Sequence, residues 1–459
     1  MLKDSVFNRL FIRTSIFILR AIVPISTLYC CARLLQWQPD LPIVLGRTID
    51  IYAGCETLFF LALYLPRSHR LNRAVPYYNP LPLPAQRQAF LTKTWDATYD
   101  THRHLSGWFN WAPLEKLRRE DVKDYILWGL WNRTERCSED EEELDEYLAY
   151  IEHILECQFP PGRSGLKSMM VTFEPVRMTH RPLLWYMVFI GFLFIHGIGI
   201  GLHTYLPFFA QYLHTMPETG IIAIEIPAIS SRISYPMLPS REMVQEILQI
   251  LRSHNWTSVV LATHSYGSVV AAHLLHDPES SVLIDNLLFV DPVAFSFHTP
   301  DVAFNFLRRK PRTASEIQLQ YFASTDPDVS RALTRSFVVA ENLLWREDVE
   351  HRTLTNDRTQ RRLKTTVAIC GRDIITDTVH LGRYLTRQER EDGKWYRETE
   401  GTNDNDSWMR SEWTGEKVLE MIWFPELNHA ECFNDHAHRQ VLVDVLEAYS
   451  RGEVTVANS

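Results

Sequence analysis

Apolar positions in the first part of the chain recur at helical spacing, and the rhythm changes near residue 165. In "LEKLRREDVKDYILWGLWN", Leu114, Leu117, Val122, Tyr125, Ile126 and Leu130 can share one side of a helix, which predicts an amphipathic helix there. The helical, tryptophan-rich pattern runs to about Cys157, and the acidic run Glu139 to Glu146 reads as the solvated face of the next helix. After "QFPPGRSG", short apolar runs alternate with helical stretches. Strands are predicted at Ser168 to Phe173, Met187 to Ile195, Ile221 to Ile226, Ser258 to Ala262, Leu287 to Val290, Thr365 to Cys370 and Leu419 to Phe424. Such alternation predicts an α/β fold with a mostly parallel sheet covered on both faces. The run "LLWYMVFIGFLFI" is too short to cross a bilayer comfortably and leads into a glycine-rich turn, so it reads as a buried central strand with its approach.

The amino end has a different texture. "SIFILRAIVPISTLYCCA", Ser15 to Ala32, is apolar apart from Arg20, and "IYAGCETLFFLALYL", Ile51 to Leu65, is apolar apart from Glu56. Each approaches the ~20 residues of a membrane span. Lys3, Arg9 and Arg13 precede the pair and Arg67, Arg70 and Arg73 follow it, which suits a hairpin with both ends cytosolic. No small-residue cleavage site follows the first segment, so a removed signal peptide is not expected. Cys30 and Cys31 are candidate acylation sites. The proline-rich "YYNPLPLP", Tyr77 to Pro84, reads as a linker.

Composition narrows the function. With 459 residues and a formal charge of −9, the chain holds a large domain plus additions and has no long basic tract, which argues against a nucleic-acid partner. Its seven cysteines show no C-x-x-C spacing, so reduced thiols are expected and neither a disulfide framework nor a metal site is indicated. Sequons begin at Asn132, Asn255 and Asn405, patterns short enough to arise by chance.

Candidate chemistry concentrates at "VVLATHSYGSVVAAHLL", Val259 to Leu275, where a β-branched run meets an apolar helix through Thr263-His264-Ser265-Tyr266-Gly267. A turn this sharp strains its central residue, requires small neighbours two positions away, and presents Ser265 to the free N–H groups of the following helix. It resembles the nucleophile elbow G-x-S-x-G of the α/β-hydrolases, with Thr263 in place of the first glycine. "HGIGIGL", His196 to Leu202, resembles the oxyanion loop of that superfamily, which implies that the N–H groups of Ile198 and Tyr266 form the oxyanion hole. The loop lacks the G-x-G-x-x-G spacing of a dinucleotide turn.

The superfamily order of nucleophile, acid and histidine is met by Asp373 in "GRDIITD" and His429 in "ELNHAECF", each just past a predicted strand. Asp291 in "LLFVDPV" and Asp377 are the alternative acids. Of eighteen histidines, His264 flanks the nucleophile and must point elsewhere, and His380, His436 and His438 fall in helical stretches. The resemblance implies an α/β-hydrolase fold over residues 166–449, with a helical cap inserted at about 297–363. It leaves a membrane-associated hairpin at 1–66, a helical region of unknown role at 67–165 and a tail at 450–459. The polar stretch "QEREDGKWYRETEGTNDNDSW" reads as a surface loop. The implied function is a membrane-associated serine hydrolase of carboxylic, lipid-like esters that needs no cofactor, with its catalytic domain in the cytosol. Thioester or amide cleavage, and a catalytically silent membrane scaffold, are the alternatives.

Overall fold

The computed structural model describes residues 5–36, 42–66, 80–98, 100–174, 194–232, 236–254, 256–335, 337–356, 359–386 and 406–451. Its centre is a parallel sheet of β1 (Val259–His264), β2 (Ile284–Val290), β5 (Thr365–Cys370) and β6 (Leu419–Phe424), in the order β1-β2-β5-β6. A separate antiparallel hairpin pairs β3 (Thr353–Asn356) with β4 (Thr359–Arg362). In the main sheet His264 lies beside Val290, Val290 beside Ala368, and Cys370 beside Phe424, so all four carboxyl ends reach one edge.

Alternation along these strands divides the interior in two. Leu261, Leu287, Phe289, Val367, Ile369 and Met421 face one cluster with α8 (Ser240–Ser253) and α9 (Gly267–His276). Leu288, Val290, Ala368, Cys370, Ile422 and Phe424 face another with α7 (Leu206–Thr215) and α12 (His436–Arg451).

The helices before the sheet, α3 (Pro84–Asp96), α4 (Thr101–Trp108), α5 (Arg119–Trp131) and α6 (Glu141–Ile154), bury Trp95, Leu105, Trp108, Val122, Ile126, Leu144 and Leu148 in the same cluster as α8 and α9. Leu117, Val122, Tyr125, Ile126 and Leu130 are buried as their spacing predicts, and α5 ends where Asn132 turns left-handed at φ +53°. Asn132 Oδ1 accepts the Thr172 hydroxyl at 2.7 Å. Within the acidic run, Glu143 is held by Arg87 and Tyr147.

Three expected strands fare differently. Ser168 to Phe173 forms a 3₁₀ turn at Val171–Phe173, because Met169 N–H bonds the Trp108 carbonyl at 2.8 Å and Met169 and Val171 pack among tryptophans. Of Ile221 to Ile226, Ala223 is extended and Ile224 bridges Ile195 among the described residues, while Ile226 N–H donates to the His196 ring. Of Met187 to Ile195, positions 187–193 lie outside the described residues, and Ile195 bridges Thr263 on the outer side of β1. Also outside them lie Lys3, Arg67, Arg70, Arg73, Asn255, Asn405, the first three residues of the linker and most of the polar stretch after 387.

Between β2 and β3 the chain folds into short helices at Pro300–Ala303, Ala314–Leu319 (α10), Pro327–Ala332, Val339–Asn342 and Glu347–Glu350, with π-turns at Phe304–Arg308 and Gln320–Ser324. At the amino end α1 (Val6–Leu34) and α2 (Ile43–Leu58) form a hairpin, tied by Asp50, which accepts Tyr29 Oη at 2.8 Å and Arg33 Nε at 2.9 Å. α2 runs on as a π-turn through Tyr64. α11 (Thr378–Thr386) completes the labelled helices.

Because α3 to α6 share one apolar cluster with the sheet, they should unfold with it. Leu148→Ala is expected to cost about 2–5 kcal/mol and to lower a single thermal transition seen by both calorimetry and circular dichroism. A separate early transition would show an independent helical unit.

Candidate active site

Ser265 sits between β1 and α9 at φ +50°, a left-handed backbone that costs a non-glycine residue about 1–3 kcal/mol. Packing holds it there. A Cβ on Gly267 would lie 2.1 Å from the Ile195 carbonyl, and a Cβ on Gly197 would lie 2.8 Å from Ser265 Cβ, so both glycines are required by close approach. Thr263, two residues upstream, is buried without obstructing the turn. Ser265 N–H donates to the Val290 carbonyl at 3.0 Å. The Ser268 hydroxyl donates to the Ser265 carbonyl at 2.6 Å and accepts the N–H groups of Val293 and Ala294.

Ile198, Ser265 and Tyr266 line one apolar pocket together. Among the described residues neither Ile198 N–H nor Tyr266 N–H donates to another group, so two backbone donors stand free beside the serine. Val293, Phe297, Val302, Phe306, Leu307, Leu333, Phe337 and Val339, from the stretch after β2, form most of the wall. Val171 adds to it, and Trp108 does so from outside the predicted hydrolase region.

His429 and Asp373 meet at 2.6 Å, Nδ1 to Oδ2, with both side chains almost completely buried. Asp373 Oδ1 accepts the N–H of Ile375 at 2.6 Å, and Oδ2 accepts the Thr376 hydroxyl at 3.1 Å, which fixes the carboxylate. Burial pushes the His429 pKa down, but the charge and hydrogen bond of Asp373, with a contribution from Asp291, outweigh it and hold the imidazole above its ordinary 6.5. Among the described residues Ser265 Oγ makes no hydrogen bond, to His429 or to any other group. Such contacts are often long before a substrate arrives. His429 nevertheless stands beside the elbow, its ring centroid 5.1 Å from that of His264.

The alternative acids occupy other roles. Asp291, at φ +43° and buried, accepts Cys370 N–H at 2.7 Å through one oxygen and Ala430 N–H at 2.8 Å through the other. It bridges the ends of β2, β5 and the histidine loop, and burial pushes its pKa up to about 6. Asp377 pairs with Arg103 at 3.2 Å and caps the start of α11 through His380 N–H.

Tyr205 carries no signal in the sequence motifs, yet its hydroxyl accepts Gly197 N–H at 3.2 Å and bonds His264 Nδ1 at 2.6 Å. It ties the His196–Leu202 loop to the elbow. Burial, then the charges of His429 and His196, keep His264 neutral. His196 Nε2 accepts Ile226 N–H at 2.9 Å, and burial pushes this imidazole down to about 4.

Among the described residues two sets of three donor side chains each have their ligand atoms within 4.8 Å of one another: Asp291, Cys370 and Cys432, and Asp291, Asp373 and His429. Both oxygens of Asp291 already hold backbone N–H groups, and His429 Nδ1 is bonded to Asp373. The hydrogen bond with Cys432 and then burial raise the Cys370 thiol, and burial raises Cys432, which disfavours the thiolates a metal would need.

The parallel order β1-β2-β5-β6, the serine elbow after β1 and the acid and histidine turns after β5 and β6 are those of the α/β-hydrolase fold. No family model and no curated protein sequence matches the chain. Solved structures similar to it include a monoacylglycerol lipase from Paleococcus ferrophilus, at 15% identity and TM-score 0.34, covering 56% of this chain and 93% of that one. Carboxylesterase CesB from Bacillus subtilis is similar at 10% identity and TM-score 0.34, covering 57% and 83%. A membrane phospholipase A described as a bacterial virulence factor is similar at 11% identity and TM-score 0.31, covering 56% and 78%.

The His429 geometry is open to NMR titration. Its imidazole should titrate above 6.5, and Asp373→Asn should bring that value down, because the largest opposing charge is lost. Asp291→Asn should move it less. A larger shift from Asp291→Asn would make Asp291 the principal partner.

Proposed function

We propose that this chain is a membrane-associated serine hydrolase of carboxylic esters with apolar, lipid-like acyl groups. The observation that carries the reading is Ser265 in its strained turn, lining an apolar pocket beside the unpaired N–H groups of Ile198 and Tyr266. In this mechanism Ser265 Oγ attacks the ester carbon while His429 takes its proton, and Asp373 holds the imidazole with Nδ1 protonated so that Nε2 can act. Charge collects on the former carbonyl oxygen, where the Ile198 and Tyr266 donors would each lower the barrier by about 3 kcal/mol. His429 then protonates the leaving alcohol. In the second half it activates water to release the acid. The pocket wall favours alkyl chains over charged acyl groups and excludes bulk water.

Membrane association draws on α1, whose 29 residues span about 43 Å against a hydrocarbon core of about 30 Å. Phe7, Leu10, Phe11, Phe17, Ile18, Ile25 and Leu28 are exposed along it, and α2 and its continuation expose Ile51, Leu58, Leu61 and Leu65. The basic residues on both outer flanks favour a hairpin with the catalytic domain in the cytosol. Glycan attachment at Asn132, Asn255 or Asn405 would reverse that orientation.

A fluorophosphonate probe tests the enzyme directly. It should label the intact protein and leave Ser265→Ala unlabelled; folded wild-type protein that resists the probe would point to a silent membrane scaffold. Asp373→Asn should lower turnover by about 10⁴ through the wrong histidine tautomer, with a much smaller loss for Asp377→Asn.

A further inference from the structure

One stripe of α1 does not face outward. Ile12 and Ile16 are buried against Ile317 of α10 and Tyr321 of the following π-turn, flanked by Leu19 and Phe322. The Arg20 guanidinium lies over the Tyr321 ring, 5.3 Å from its centroid. Positions 12, 16 and 20 repeat every four residues, so they form one face of the helix. The covered face is a narrow strip of a helix otherwise clothed in exposed apolar side chains, and it meets the insertion over the pocket.

The receiving element is connected to the pocket. The π-turn holding Tyr321 packs against the π-turn Phe304–Arg308, which supplies Phe306 and Leu307 to the wall around Ser265. π-turns cluster at functional sites because they bend a helix and re-aim its side chains. Arg20 adds a constraint on depth. It stands near the middle of α1, where an uncompensated charge in hydrocarbon is costly, and its compensation comes from the face of Tyr321. The insertion therefore packs directly on α1 at Ile12, Ile16 and Arg20. The α1 contact and the pocket wall are two apolar clusters, joined through the packing of the two π-turns.

We propose that α1 is a working part of the active-site cap: its Ile12–Ile16–Arg20 face grips Ile317 and Tyr321, couples the bilayer to the pocket wall, and makes esters resident in the bilayer the substrates. The inference rests on the hydrolase reading above and deepens it by naming the source of substrate. A lipid ester reaches Ser265 from the membrane beside the cap, whereas a short water-soluble ester reaches the serine without needing the contact.

The experiment uses the full chain reconstituted in phosphatidylcholine vesicles, assayed on a long-chain monoacylglycerol in the bilayer and on p-nitrophenyl butyrate in solution. Tyr321→Ala should lower kcat/KM for the bilayer ester about tenfold, the equivalent of ~1.4 kcal/mol, and leave the soluble ester within about twofold. Arg20→Ala should act in the same direction, and Tyr321→Phe, which keeps the ring, should restore both rates. Equal loss on both substrates would mark Tyr321 as a general stability residue and overturn the coupling, as would no loss on either. Fluorophosphonate labelling of Ser265 in each variant separates the two levels. Retained labelling with no substrate split defeats the coupling alone, while absent labelling in the wild type defeats the hydrolase reading and the coupling with it.

Discussion

The left-handed backbone at Ser265 is the constraint around which the rest is arranged. A serine at φ +50° does not rest there by preference, so neighbouring structure must leave no lower alternative. Gly267 lets α9 approach the Ile195 carbonyl, Gly197 lets the neighbouring loop touch Ser265 and His264, and Ser268 ties the turn to Val293 and Ala294. Among the described residues the N–H groups of Ile198 and Tyr266 beside these contacts have no internal partner. Strain and unsatisfied donors are two results of one packing arrangement, and both are concentrated where an anion could be received.

The electrostatics at this sheet end favour protonation. Asp291, pushed up to about 6 chiefly by burial, holds more protons folded than unfolded between its ordinary 3.8 and that value, so its contribution to stability falls as pH rises through this window. His429 has a raised folded value as well: its contribution is complete below 6.5 and is lost as pH climbs through the folded pKa. At neutral pH, above that value, the fold therefore sustains an ionised and buried Asp291. The two backbone bonds on Asp291, from Cys370 and Ala430, offset part of that cost and fix the loop carrying His429. One buried acid serves geometry and another orients the ring, a division of labour that explains why two carboxylates can face one histidine.

Much of this could be read from the residues, for identifiable reasons. β5 and β6 match their expected bounds because each is a short apolar run closed by a turn, and the elbow is legible because its steric demands restrict residue type. Asp373 and His429 follow from strand ends, and the structure brings them into contact. Ser168 to Phe173 misleads because an irregular segment packed on tryptophans has the same apolar pattern as a strand. Tyr205 is invisible in sequence: a tyrosine in an aromatic stretch gives no sign that its hydroxyl will bridge two loops.

The amino-terminal third shows why motif reading stopped short. Its residues carry no chemistry of their own and contribute surface, which becomes meaningful only in contact with the remainder. Trp108 helps close the pocket, Gly107 admits Pro300 against α4, and Arg103 reaches Asp301 at 2.8 Å, so the helical region is built into the wall beside the insertion. α1 reaches the same insertion from another direction through Ile317 and Tyr321. The pocket is thus enclosed by segments far apart in sequence, and the polar machinery at the strand ends is a small part of what selects a ligand. Catalytic residue types are dictated by bond-making and leave narrow signatures, whereas an apolar wall accepts many sequences of similar volume and leaves almost none.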